Sequence, residues 1–244
     1  MPSQLVCRPE QDLPMAVLTV SGTLDPVTGG ALGAAVRRSL AVQPSCLLLD
    51  FTRLRVGEAD AVALLGAEIS RAEAFPAVPI VICGASTETR AALRADPRCA
   101  GLRLVTDREA ALAEDPRTTD DVRVRLRPVP EACRQVRALV AQTCTAWQRS
   151  DVTATAALVA TELVANVVRH ARTTMDFTLR RRDGRIVVAV RDHSRRMPRT
   201  LDPDVTDAGG RGLRLIGDLT DAWGVLPVTD GKVVWSQLTT GAAA

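Results

Sequence analysis

Apolar residues at Leu158, Val159, Leu163, Val164, Val167 and Val168 recur at three- and four-residue steps, which predicts an amphipathic helix with one face in a core. Such a helix needs a layer to lie on, and the chain supplies one directly after it. Met175 to Arg182, a turn at Asp183-Gly184, and Arg185 to Asp192 read as a hairpin whose second strand ends on a carboxylate. On the helix, Glu162 and Asn166 are four apart and so lie one above the other. Both offer hard oxygen atoms suited to Mg²⁺ with a water or hydroxyl beside it. The same spacing also occurs on ordinary solvated helix faces.

After the hairpin come a polar loop, then Gly209-Gly210-Arg211-Gly212 opening an apolar helix from Leu213 to Leu219, and a last strand from Lys232 to Leu238. Backbone N–H groups at a glycine-rich helix start suit phosphates. With these motifs in this order, the second half resembles the GHKL ATP-binding fold. Within that fold it resembles the anti-sigma factor serine kinases of bacteria, whose helix carries the Glu-Leu-x-x-Asn pattern found here at Glu162-Leu163-Val164-Ala165-Asn166. The resemblance implies an α/β sandwich, with helices on one face of a mixed sheet, that binds ATP and Mg²⁺. It implies Asp192 as the reader of the adenine amine, Asn166 as the Mg²⁺ ligand, and Gly210, Arg211 and Gly212 as the phosphate cradle. Glu162 would be the general base that takes the proton from an acceptor hydroxyl.

One stretch departs from that pattern. The family usually has Asp-x-Gly-x-Gly after the strand, whereas Asp192-His193-Ser194-Arg195-Arg196 puts Ser194 and Arg196 at the glycine places. Positive φ at either would cost on the order of 1 kcal/mol or more, so this loop must run differently, and its two arginines offer an alternative reach to phosphate. His170 and His193 read as a polar helix-end residue and an exposed residue. Neither is expected to accept phosphate, because no long heptad segment precedes this half.

In the first half, strands are expected at Ala16 to Val20, Ser45 to Phe51, Pro79 to Gly84 and Leu102 to Val105. Helices are expected at Ala31 to Leu40, Glu58 to Glu73, Thr87 to Leu93 and Asp107 to Ala113. The alternation demands an α/β layer, and the unbroken apolar run at Ser45 to Phe51 marks a strand buried on both faces. No phosphate loop, nucleophile elbow or histidine falls here, so no enzyme site is expected. Val20-Ser21-Gly22-Thr23-Leu24-Asp25 and Leu48-Leu49-Asp50-Phe51-Thr52 resemble the early turn and central strand of a STAS domain, the fold of anti-sigma factor antagonists, over roughly residues 13 to 113. In that family a serine at the start of the next helix is phosphorylated. Counting on from Asp50 without gaps, Asp60 takes that position. Fixed negative charge there would mimic the phosphorylated state, and a first-turn helix acid is the other reading.

The expected organisation is therefore α/β with two domains: a STAS-like domain at 1–113, a linker at 114–121 and a GHKL-type domain at 122–244. In the second, Val122 to Arg127 alternates as a strand, and a helix from Glu131 to Trp147 follows Pro128 and Pro130. A net charge of +3 on 244 residues is too small to point to direct nucleic-acid binding. Of 31 basic residues only Lys232 is lysine, which reads as coding bias at least as much as phosphate recognition. No apolar run approaches a membrane span and no charged leader opens the chain, so a cytoplasmic protein with reduced, mostly buried cysteines is expected.

Two functions fit. One is a serine/threonine protein kinase of the anti-sigma type, which phosphorylates a separate STAS antagonist and binds a sigma factor. The other is a non-catalytic interaction module in a partner-switching pathway. Glu162 and Asn166 favour the first, while the absent glycines after Asp192 and the attached antagonist-like half favour the second. Expected partners are ATP, a sigma factor, an antagonist, a second copy of the chain and an internal contact between the halves.

Overall fold

The computed structural model describes residues 5–12, 15–56, 63–67, 78–99, 102–113, 120–182, 184–198 and 211–241. The chain divides into two compact units, Met1–Arg117 and Thr118–Ala244.

The first unit is a five-stranded sheet in sequence order: β1 (Leu5–Asp12), β2 (Met15–Leu24), β3 (Cys46–Val56), β4 (Ile80–Cys83) and β5 (Arg103–Leu104). β1 and β2 are antiparallel, and the remaining pairs are parallel. Cys46, Leu47, Leu48, Leu49 and Phe51 are all at most 2% exposed, as a strand covered on both faces requires. Helix α1 (Gly29–Ala41) packs on β1 and β2 and buries Leu32, Val36 and Leu40 at four-residue steps. Helix α2 (Thr87–Ala95) is capped by Ser86, which accepts the Thr89 N–H. Helix α3 (Arg108–Ala113) places Ala111 in one buried cluster with Met15, Val17, Cys46 and Leu48. Of the helix expected over Glu58 to Glu73, residues 63–67 are described and helical. Asp60 lies outside the described residues.

β1 was not expected. Its sequence, LVCRPEQD, contains a proline and three charges, and among the described residues it pairs only with β2, at the sheet edge. An edge strand tolerates proline and has one side free of burial, which removes the apolar signal.

The second unit is a five-stranded sheet of order β6-β7-β8-β10-β9, with β6 (Asp120–Leu126), β7 (Met175–Arg182), β8 (Arg185–Asp192), β9 (Ala222–Val228) and β10 (Gly231–Thr239). Helices α4 (Glu131–Ala146), α5 (Ser150–Asn166) and α6 (Arg211–Leu219) complete it. Their buried residues form one cluster with Met175, Phe177 and Leu179 of β7, Ile186, Val188 and Val190 of β8, and Val234 and Leu238 of β10. The helices therefore cover one face of the sheet.

Every described pairing in this sheet is antiparallel, which corrects the expected mixed sheet. The connectivity supplies the reason. Two helices, not one, separate β6 from β7, so the chain returns antiparallel. The single helix between β8 and β9 does leave those two strands parallel, but β10 lies between them.

β6 begins at Asp120, inside the expected linker, because Asp120 and Asp121 pair with Arg181 and Arg180 of β7. The whole helical stretch Ser150–Ala171 is long and apolar enough to cross a membrane by length and composition, contrary to the expectation that no run would be. Its apolar residues Val159, Ala160, Leu163 and Val164 lie at 0–2% exposure in the unit's core, whereas Leu158, placed on the same face by the periodicity, is 36% exposed.

Candidate functional site

Strand register brings the candidate residues to one end of the second unit. Met175, which starts β7 just after the α5 stretch, pairs with Asp192 at the end of β8, and Asp192 pairs with Lys232 at the start of β10. The end of α5 thus lies at the same end of the sheet as the end of β8.

Helix α5 does not stop cleanly at Asn166. It widens into one π turn over Val167–Ala171 and closes with Arg172 in the left-handed region, whose N–H donates to Val167 O at 2.7 Å. Widened turns of this kind change which side chains face a neighbour. Here Arg169 is brought to 3.8 Å from Glu162 Oε2, giving the general-base candidate a cationic partner. His170 lies in this last turn and is exposed.

The N-terminus of α6 comes down on these groups. A Cβ on Gly212 would stand 2.8 Å from Glu162 Oε2 and 3.8 Å from Asn166 Oδ1, so glycine is what lets the helix start this close. A carboxylate in that position is favoured by the helix dipole. Glu162, Asn166 and Gly212 are therefore brought together. Arg211 opens the helix, and Gly210 lies outside the described residues.

Asp192 is 2% exposed, and a second buried group answers it. Lys232 Nζ is 2.9 Å from both Oδ1 and Oδ2 of Asp192, with 7% of the lysine side chain exposed. The same ammonium donates to Ser194 O at 3.1 Å, and Ser194 N–H donates to Asp192 Oδ1 at 2.8 Å. Gly231, immediately before the lysine, has φ +157°, and a Cβ there would fall 1.9 Å from Asp192 O. Only glycine brings β10 close enough to seat the lysine on the carboxylate.

The loop after Asp192 runs differently from the glycine pattern. The non-glycine residues with positive φ among those described are Gln43, Gln148 and Arg172, and neither Ser194 nor Arg196 is among them. The loop is tied sideways to the β9–β10 turn. Arg195 Nε donates to Thr229 O at 2.9 Å, and His193 N–H donates to Thr173 Oγ1 at 3.1 Å. Arg191 Nη2 reaches Asp230 Oδ2 at 2.9 Å. Arg195 therefore serves the hairpin turn and not an open phosphate position.

The two ends of the candidate site differ in what they fit. At α6, an amide oxygen, a carboxylate and a helix start are the groups a magnesium–phosphate moiety uses. At Asp192, an adenine amine would need to donate to a carboxylate that already holds an ammonium across both oxygens, in a buried setting where displacing that ammonium strands two charges. Three of the carboxylate's roughly four acceptor positions are already taken, by Lys232 Nζ on each oxygen and by Ser194 N–H on Oδ1.

Lys232, Arg169 and Thr173 were not among the residues singled out from the motifs. The available signal for Lys232 was its being the single lysine in a chain that otherwise uses arginine.

Residues 122–237 match the family model of the histidine kinase-like ATPase domain. No curated protein matches the chain. Among solved structures, an anti-sigma factor antagonist from Mycobacterium paratuberculosis is 23% identical with a TM-score of 0.37, covering 46% of this chain and 95% of its own. The RsbU and RsbW domains of a Mycobacterium tuberculosis protein are 16% identical with a TM-score of 0.39, covering 51% and 34%. The Bacillus cell fate determinant SpoIIAA in its phosphorylated form is 17% identical with a TM-score of 0.34, covering 45% and 100%.

Proposed function

We propose that this chain, whose residues 122–237 are a histidine kinase-like ATPase domain, is a partner-switching regulator that works by binding proteins and not by turning over ATP. The observation that carries this reading is the Asp192–Lys232 pair, in which the carboxylate expected to read adenine is engaged by a buried ammonium at 2.9 Å. An ATPase fold whose base end is answered from within keeps its surface for recognition while losing the group that would select the nucleotide. The resemblance of the Glu162-to-Asn166 motif to that of the anti-sigma serine kinases supports a partner class of separate STAS antagonists or sigma factors.

The kinase reading has its own supporting observation, the meeting of Glu162, Asn166 and Gly212 at the start of α6. One experiment separates the two. The intact chain is mixed with a STAS antagonist carrying its acceptor serine, and association is followed by calorimetry with and without Mg-ATP while transfer of labelled γ-phosphate is counted. Association that is the same in both conditions, with no label transferred, is the expected result. Label on the antagonist serine would replace this reading with the kinase one, and no association in either condition would remove the partner class.

A further inference from the structure

We infer that Lys232 is the specificity-determining residue of the second unit: it fills the base end of an otherwise retained nucleotide site, so that its removal alone opens the site to adenine nucleotides. This rests on the proposed function insofar as it takes the Asp192 end as the base end.

Three observations support the assignment. The register of β8 and β10 puts residue 232 directly opposite Asp192, so the side chain at this position reaches the carboxylate that a base bound there would use. A lysine replaces it: its ammonium donates to Asp192 and Ser194 O, presenting hydrogen-bond donors where an adenine amine would also present donors. The remaining end of the site is independent of this pair. Gly212 lies over Glu162 and Asn166 through contacts in which Lys232 takes no part, so a change at 232 leaves that geometry in place.

A threonine at 232 removes the ammonium, shortens the side chain and leaves Asp192 as a buried acceptor without its ion-pair partner. A buried acceptor left that way favours any ligand that donates to it, which is how polar sites gain selectivity. Guanine offers a carbonyl where adenine has the amine, so the opened site should prefer adenine.

The experiment is calorimetric titration of the intact chain with Mg-ADP and Mg-GDP. The wild type is expected to show no binding up to about 1 mM. Lys232→Thr is expected to bind Mg-ADP at least about tenfold more tightly than wild type, with Mg-GDP weaker. Because Lys232→Thr strands a buried carboxylate, Lys232→Gln is run beside it. It keeps a neutral side chain of intermediate length and should give a smaller gain of the same sign. The double variant Lys232→Thr with Asn166→Ala should lose the gain, which ties it to the α6 end. Wild type that binds Mg-ADP below about 1 mM overturns the inference whether or not any variant folds. A Lys232→Thr or Lys232→Gln protein that melts cooperatively yet gains nothing overturns it as well. Partner association is read in a separate experiment, so loss of the nucleotide inference leaves the partner-binding reading standing, and the reverse.

Discussion

At the scale of single residues, the second unit is organised by charges placed where they must be answered. With side-chain exposures of 7% for Lys232 and 2% for Asp192, removing either partner leaves the other stranded. Lys232→Ala is expected to lower stability by about 3–5 kcal/mol in urea denaturation, the range for breaking one side of a buried pair. A loss under about 1 kcal/mol would mean the pair is far better hydrated than its burial indicates. Asp121 shows the same logic with a pH signature. Burial pushes its carboxyl up, but the hydrogen bond from Arg180 and the charge and hydrogen bond of Arg123 outweigh this and hold it below its ordinary value. A depressed carboxylate contributes stability above its unfolded value and loses it as pH falls through the folded one. Asp121→Asn should therefore cost about 1.5–3 kcal/mol near neutral pH. Its stability curve should converge on that of wild type as the pH drops below about 4. Curves that stay parallel into acid would contradict this. Elsewhere, burial pushes the Cys83 thiol up to about 11, with the nearby Asp50 carboxylate adding to the effect. In the native protein at pH 7.5, iodoacetamide followed by mass spectrometry should leave Cys83 unmodified while urea exposes it.

At the scale of elements, what was legible depended on whether an element carried its own signal. The α5 helix, the β7–β8 hairpin and the α6 start were readable because apolar period, the turn dipeptide and the glycines are local properties. β1 and β9 were not, for one shared reason: both are edge strands containing proline, Pro9 and Pro227, and their place is set by a neighbouring strand. In β9 the neighbour also sets a residue. A Cβ on Gly224 would fall 2.8 Å from Trp235 Cζ2, so the indole of β10 lies across the glycine. Gly224→Ala should cost about 1–3 kcal/mol by overpacking, with a shifted tryptophan emission reporting the displaced ring. An unchanged stability would show that the indole has room to move. The candidate site divided along the same line. Glu162, Asn166 and Gly212, which the family resemblance singled out, do meet. The ion pair on Asp192 joins positions 40 apart and became visible only through the register of β10 on β8.

At the scale of the whole molecule, each unit is an α/β layer with its own core among the described residues, and the candidate site lies in the second. A GHKL-type resemblance alone would make ATP the natural ligand. Under the function proposed above, the Asp192–Lys232 pair is what would turn this unit from nucleotide to protein recognition. The deciding property is whether the intact wild-type chain responds to nucleotide at all. Thermal unfolding with and without 100-fold graded excesses of Mg-ATP reads this most directly, since a ligand at about 100 times its Kd would add about 2.7 kcal/mol and raise the midpoint visibly. Superimposable melts are expected at every Mg-ATP concentration up to the millimolar range. A midpoint that climbs with Mg-ATP, and does so only while Asn166 is intact, would contradict this.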